Sequence, residues 1–254
     1  QSNMRFPIDI SEQAGVRYLH FGSLWIQGAM RIARPWHLEL DYTKEMMACL
    51  LLREGVRFPR RVLLIGLGAA SLTKFLYRHY PLAQLTVVEI EPDVVAAARQ
   101  FFKLPDDPLR INIVIGDGAR FVEEYDKQFD LILVDGFDEN ARAGELDTLP
   151  FYENCHRRLN DNGILAVNLL GRSRGYKASF ERIREAFGDR ALVFPSCDSG
   201  NVIAFAARGK PIRIALDDLK EEAERLKQKT GLNLLPTLAR IEQAGTCKRN
   251  MLQL

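Results

Sequence analysis

The chain has 254 residues, 47% hydrophobic and 27% charged, an ordinary globular composition with room for one large α/β domain and a small appendage. Thirty-five Lys and Arg against 33 Asp and Glu leave a formal charge of +2, which gives no electrostatic footprint for nucleic acid or an anionic membrane. No apolar run reaches eighteen residues, so no membrane-spanning helix is expected. The four cysteines, Cys49, Cys155, Cys197 and Cys247, form no CxxC pair; their spacing argues against a bound metal or a disulfide framework and for a soluble, cytoplasmic protein.

Gln1-Ser2-Asn3 ahead of Met4 reads as an added leader, outside the fold. Residues 5–58 read as a small N-terminal module. Apolar stretches at 16–21 and 24–32 flank Gly22-Ser23 and predict a β-hairpin, and 42–53 carries Met46, Met47, Leu50 and Leu51 at helical spacing before Gly55. Residues 59–210 alternate apolar runs at 62–65, 85–90, 111–115, 131–134 and 164–169 with helical stretches at 71–79, 92–102, 119–125 and 151–159. A fifth helix at 176–187 precedes two last runs, 191–194 and 202–206. The link between those two, 195–200, is too short for a helical crossover and predicts an antiparallel hairpin at the sheet edge. Residues 211–254 read as a helical tail, with Leu219, Ala223 and Leu226 on one face of a charged helix at 216–229 and a second helix at 233–243.

Alternating βα units imply a mainly parallel, doubly wound sheet. Five parallel strands closed by an antiparallel hairpin form the layout of the Rossmann-like class I S-adenosylmethionine-dependent methyltransferase fold. The expected sheet is therefore seven-stranded, with the small β module ahead of it.

Four features along this sheet carry chemistry. Gly66-Leu67-Gly68 follows the first strand, where glycines allow a sharp turn and close approach of a ligand to the next helix N-terminus. Glu89 ends the second strand, where a carboxylate can accept from ribose hydroxyls. Gly116-Asp117-Gly118 follows the third; Asp117 suits either an adenine amino group or the N-cap of the following helix. Asp135 and Asp138 follow the fourth. A carboxylate pair at that edge suits a cationic amine, which must lose its proton before attacking carbon; a carboxylate beside it can orient it and take that proton. The alternative is a turn-capping Asp135 and a solvated Asp138.

The order of these motifs resembles that of spermidine synthase and its aminopropyltransferase relatives. Gln27 and the segment Tyr42-Thr43-Lys44-Glu45-Met46-Met47 resemble that family's glutamine and its Y-[HQ]-E-M stretch. The resemblance implies aminopropyl transfer from decarboxylated S-adenosylmethionine to putrescine or a similar amine, without metal or tightly bound cofactor, in a homodimer or homotetramer. It implies that Gly66, Gly68 and Gly118 face the nucleoside, Glu89 holds the ribose and Asp117 the adenine. It makes Asp135 catalytic and places Asp138, Gln27 and Tyr42 on the amine substrate. The chain departs from the family pattern in three places. The loop G-G-G-D-G-G is here Gly66-Leu67-Gly68-Ala69-Ala70-Ser71, so its acid falls on Ala69. The loop D-[SA]-[ST]-D-P is Asp135-Gly136-Phe137-Asp138-Glu139, and Thr43 follows the tyrosine. Loss of the acid at 69 keeps open a methyltransferase using intact S-adenosylmethionine, and a nucleoside-binding protein without turnover is a third reading. An NAD-dependent oxidoreductase would leave Asp117 and the Asp135/Asp138 pair unexplained. The charged stretch 139–147 reads as a lid.

Overall fold

The computed structural model describes residues 8–22, 26–55, 57–136, 144–170, 175–198 and 200–254. Strands β1 (Ile8–Gln13), β2 (Val16–Phe21) and β3 (Ile26–Arg31) form an antiparallel sheet. Helix α1 (Asp41–Met46) runs directly into a 3-10 turn at Met47–Leu51, so the helix expected at 42–53 tightens halfway along. Its residues Met46 to Leu52 are all buried.

The main sheet follows. Its parallel strands are β4 (Arg61–Ile65), β5 (Gln84–Glu89), β6 (Ile111–Ile115), β7 (Phe129–Val134) and β8 (Leu159–Leu170), connected through α2 (Ser71–His79), α3 (Pro92–Phe101), α4 (Gly118–Glu124) and α5 (Leu149–Arg158). Helix α6 (Tyr176–Ala186) leads to β9 (Ala191–Pro195) and β10 (Asn201–Ala207). The strand order is β6-β5-β4-β7-β8-β10-β9, and β10 runs antiparallel to both neighbours. The expected seven-stranded sheet is present, and its hairpin folds back so that the last strand fills the place beside β8.

Both faces of this sheet are covered, which is why its strands read as unbroken apolar runs. Val62 and Leu64 of β4 face one core with Leu131 and Leu133, while Leu63 and Ile65 face the other with Ile132 and Val134. Helices α2 and α3 lie on the first face with the N-terminal sheet; α4, α5 and α6 cover the second. The segment after the sheet adds α7 (Leu216–Thr230) and α8 (Leu235–Gln243) to the first core. It also contains a small sheet of β11 (Arg213–Ala215), β12 (Cys247–Lys248) and β13 (Met251–Gln253), elements too short to leave a periodic signal. Among the described residues no helix is long and apolar enough to cross a membrane.

Candidate active site

Strands β4 and β7 are neighbours whose connections run to opposite edges of the sheet, and the crevice beyond their carboxyl ends is the expected ligand site of such a sheet. A cavity of about 420 Å³ opens there, within the range of small-molecule sites. The ends of β4 to β7 each supply one feature, and the N-terminal sheet and α1 close the cavity from the side.

Gly66, just past β4, has φ of +96° and donates its N–H to the Val88 carbonyl at 2.9 Å. A Cβ at Gly66 would collide with the Asp135 carbonyl. Its lack of a side chain thus serves the junction of β4 and β7 as much as any ligand, although Gly66 and Gly68 both line the cavity. Gly28 of β3 presses on the same loop: a Cβ there would lie 2.6 Å from the Ala69 Cβ. That close approach brings the adjacent Gln27 to the cavity wall. The Gln27 side-chain nitrogen is buried without a hydrogen-bond partner among the described residues.

Glu89 ends β5 and is buried. Its Oε1 accepts from the Leu67 N–H and its Oε2 from the Glu91 N–H, both at 3.0 Å. Burial pushes this carboxyl above its ordinary range, and the backbone donors pull it back. Gly68 is a third backbone donor to this carboxylate, which leaves acceptor capacity for a ligand hydroxyl. Asp117 is the N-cap of α4, its Oδ1 accepting from the Ala119 N–H at 2.9 Å, and the residue also lines the cavity with Gly118.

Asp135 follows β7 and donates its N–H to the Ile65 carbonyl at 2.9 Å. The Tyr42 hydroxyl donates to its Oδ2 at 2.9 Å and the Asn168 amide to its Oδ1 at 3.0 Å. Asp135 is reachable from the cavity yet enclosed by protein. Burial is therefore the largest influence and raises its pKa, and the two donors oppose it. Tyr42 is itself anchored, its N–H donating to Asp198 Oδ2 at 2.7 Å. One turn on, Glu45, only 3% exposed, accepts from the Ser196 hydroxyl at 2.6 Å and the Cys197 N–H at 3.3 Å. The connection between β9 and β10 thus docks on α1 and sets Tyr42. Asp41, Cys197 and Asp198 bring ligand-type atoms within 4.8 Å of one another. Cys197 is exposed and contacts Glu45 through its N–H and thiol, and Asp198 is bonded to Tyr42, so the trio belongs to this anchor.

Eight of the nine residues named from sequence therefore border one cavity: Gln27, Tyr42, Gly66, Gly68, Glu89, Asp117, Gly118 and Asp135. The ninth, Asp138, lies outside the described residues, as do Phe137 and the first part of the expected lid, 139–143. The end of that stretch is a 3-10 turn, Gly144–Asp147, and it puts Glu145 and Leu146 on the cavity wall. Asp147 anchors the turn by accepting from the Tyr152 hydroxyl at 2.8 Å, the Ser179 hydroxyl at 2.7 Å and Arg182 at 3.1 Å. Sequence reading did not single out Asn168 or Asp198; Glu45 lay within the quoted Tyr42–Met47 segment and Leu146 within the expected lid, neither with a role of its own. Asn168 had a signal, a lone amide inside the apolar run 164–170; Asp198 had none at short range.

The fold and its cavity place the chain among the Rossmann-like α/β proteins built on the class I methyltransferase sheet. Comparison with known proteins narrows this. Residues 40–172 match the spermine/spermidine synthase domain. The polyamine aminopropyltransferase of Chromobacterium violaceum is 35% identical over 94% of this chain and 90% of its own. A probable spermidine synthase from Corynebacterium glutamicum superposes with a TM-score of 0.71 at 18% identity, over 89% of this chain and 91% of that one. The human methyltransferase-like protein 13, in complex with SAH, has the same fold, with a TM-score of 0.63 at 22% identity over 83% of this chain and 95% of that one. The chain belongs to the spermine/spermidine synthase family, the polyamine aminopropyltransferases, and is a transferase of that family.

Proposed function

We propose that the chain transfers an aminopropyl group from decarboxylated S-adenosylmethionine to a putrescine-like amine, with Asp135 as the base. The observation that carries this reading is the Asp135 carboxylate, held by one donor on each oxygen at the edge of the cavity that Glu89 and Asp117 also border. Glu89 would take the ribose hydroxyls and Asp117 the adenine amino group, with Gly66, Gly68 and Gly118 allowing close approach. Gln27 and Tyr42 would line the acceptor side, with Asp138 on the amine.

The amine nitrogen attacks the aminopropyl carbon bonded to the sulfonium. The new C–N bond forms as the C–S bond breaks, the electron pair returns to sulfur as a neutral thioether, and the surplus amine proton passes to Asp135. A second reading, methyl transfer from the intact nucleoside, draws on Ala69, which stands where the family's loop carries an acid. We also infer a cytoplasmic homodimer or homotetramer, a reading that the family likeness supports.

The test is Asp135→Asn, assayed with decarboxylated S-adenosylmethionine and an amine panel, with binding of both nucleosides measured by calorimetry. Transfer is expected to fall by about 100-fold or more with donor affinity preserved. Full turnover in the variant would remove Asp135 from the mechanism. Tighter binding of the intact nucleoside would move the assignment to methyl transfer.

A further inference from the structure

Strand β8 contains one residue that its surroundings do not explain. Residues 164–170 read Ile-Leu-Ala-Val-Asn-Leu-Leu, and Asn168 is 4% exposed in the middle of the sheet. Its side-chain oxygen has no hydrogen-bond partner among the described residues. A buried amide with an unsatisfied oxygen is destabilising, and an apolar residue would suit the strand better. Among the described residues its nitrogen donates to Asp135 Oδ1 at 3.0 Å. The register makes this contact specific, since Val134 pairs with Val167 across β7 and β8 and so sets residue 168 beside residue 135.

We propose that Asn168 is a positioning residue for Asp135, an amide carried in the sheet core to fix the carboxylate plane and keep it ionised for the incoming amine. Violations of local packing rules in an otherwise consistent element are expected where function requires them. Tyr42 fixes the second oxygen from α1, so two donors on separate elements clamp one carboxylate. Among the described residues, the other titratable groups around the site are Asp198 behind Tyr42 with Asp41, Lys44 and Glu45 beside it and, on the cavity wall, Glu89, Glu91, Asp117 and Glu145. All but Lys44 are acids, which disfavour a further negative charge; the largest influence on Asp135 itself is burial, and the Asn168 donor works with Tyr42 against it. The role in turnover rests on Asp135 being the base proposed above; the clamp itself does not.

The experiment combines a titration without turnover and a pH profile. In the wild-type protein, the Asn168 side-chain amide resonance should move with pH in step with the Asp135 carboxyl carbon resonance. That movement should vanish in Asp135→Asn. In Asn168→Ala the Asp135 titration should rise by about one to two pH units, the cost of one hydrogen bond to a charged group. The isosteric Asn168→Asp, which adds a like charge, should raise it further. The acid limb of kcat/KM should shift by the same amount, with donor affinity unchanged. An Asn168 resonance indifferent to pH in the wild type would overturn the proposal, as would an unmoved Asp135 titration in a folded Asn168 variant. Should the variants not fold, the wild-type titration decides alone. If the wild type transfers no aminopropyl group, the resonances still report on the clamp, so the two claims fail separately.

Discussion

Asp135 holds opposing influences in one side chain. Enclosure by protein favours its neutral form, while the hydroxyl of Tyr42 and the amide of Asn168 favour the anion. A base must be ionised to take a proton, so activity should be full above its raised pKa and fall as pH drops through it. Tyr42→Phe removes one donor and moves that limb upward. We expect a shift of roughly one pH unit, with kcat/KM lower by about tenfold on the limb itself, read from the pH profile of the variant against the wild type. An unchanged profile would mean the hydroxyl only packs. Gly66 acts on the same residue through sterics. In Gly66→Ala the new methyl meets the Asp135 carbonyl at a backbone angle that L residues rarely adopt, so denaturant unfolding should show a loss of about 2–4 kcal/mol. Transfer should fall with it, because the β7 end must move; wild-type stability and activity together would contradict the close approach.

Elements matter here mainly through what they press together. Helix α1 is short, and its place is set by Glu45 and Tyr42 gripping the connection between β9 and β10, elements more than 150 residues further along the chain. Helix α2 carries a different tension. Lys74 is 1% exposed, and its ammonium donates to the Phe102 carbonyl at 2.8 Å just beyond α3. Burial lowers its pKa to about 7, with Lys103 adding to the effect. Between that value and about 10.4 in the unfolded chain, the unfolded state binds more protons, so stability must rise with pH across the window. The penalty is fully present below pH 7. Relative to Lys74→Met, the wild type should gain about 3 kcal/mol between pH 7 and pH 10, measured by urea unfolding at each pH. The difference between the two proteins isolates this lysine from the buried thiols of Cys49 and Cys155, whose raised pKa values act with the opposite sign. A flat difference would mean Lys74 is not held neutral.

At the scale of the molecule, the cavity is shared by the N-terminal sheet, α1 and the main sheet. A ligand that fills it binds the folded chain and not the unfolded one. Decarboxylated S-adenosylmethionine at one hundred times its dissociation constant should therefore stabilise the protein by about 2.7 kcal/mol, seen as a concentration-dependent rise in Tm. The intact nucleoside should give a smaller rise at equal concentration. An equal or larger one would favour the methyl-transfer reading.

The strand ends are legible in the sequence because their signals are local. An apolar run that stops at glycine or at an acid marks the edge where a parallel sheet meets its ligand, and this pattern alone makes Gly66, Glu89, Asp117 and Asp135 stand out. Strand β1, with only half-buried and exposed positions, and the two- and three-residue strands of the C-terminal sheet leave no pattern to read. The sequence by itself determined the βα alternation, the seven-stranded sheet and which residues stand on its ligand edge, since periodicity and turn chemistry act over a few residues. Only the tertiary structure decided that Gly66 makes room for Asp135, that Asn168 and Tyr42 clamp its carboxylate, and that the connection of the last hairpin holds α1 in place. Those contacts join residues 33 to 156 positions apart, and their partners are chosen by strand register and packing rather than by any neighbour in the chain.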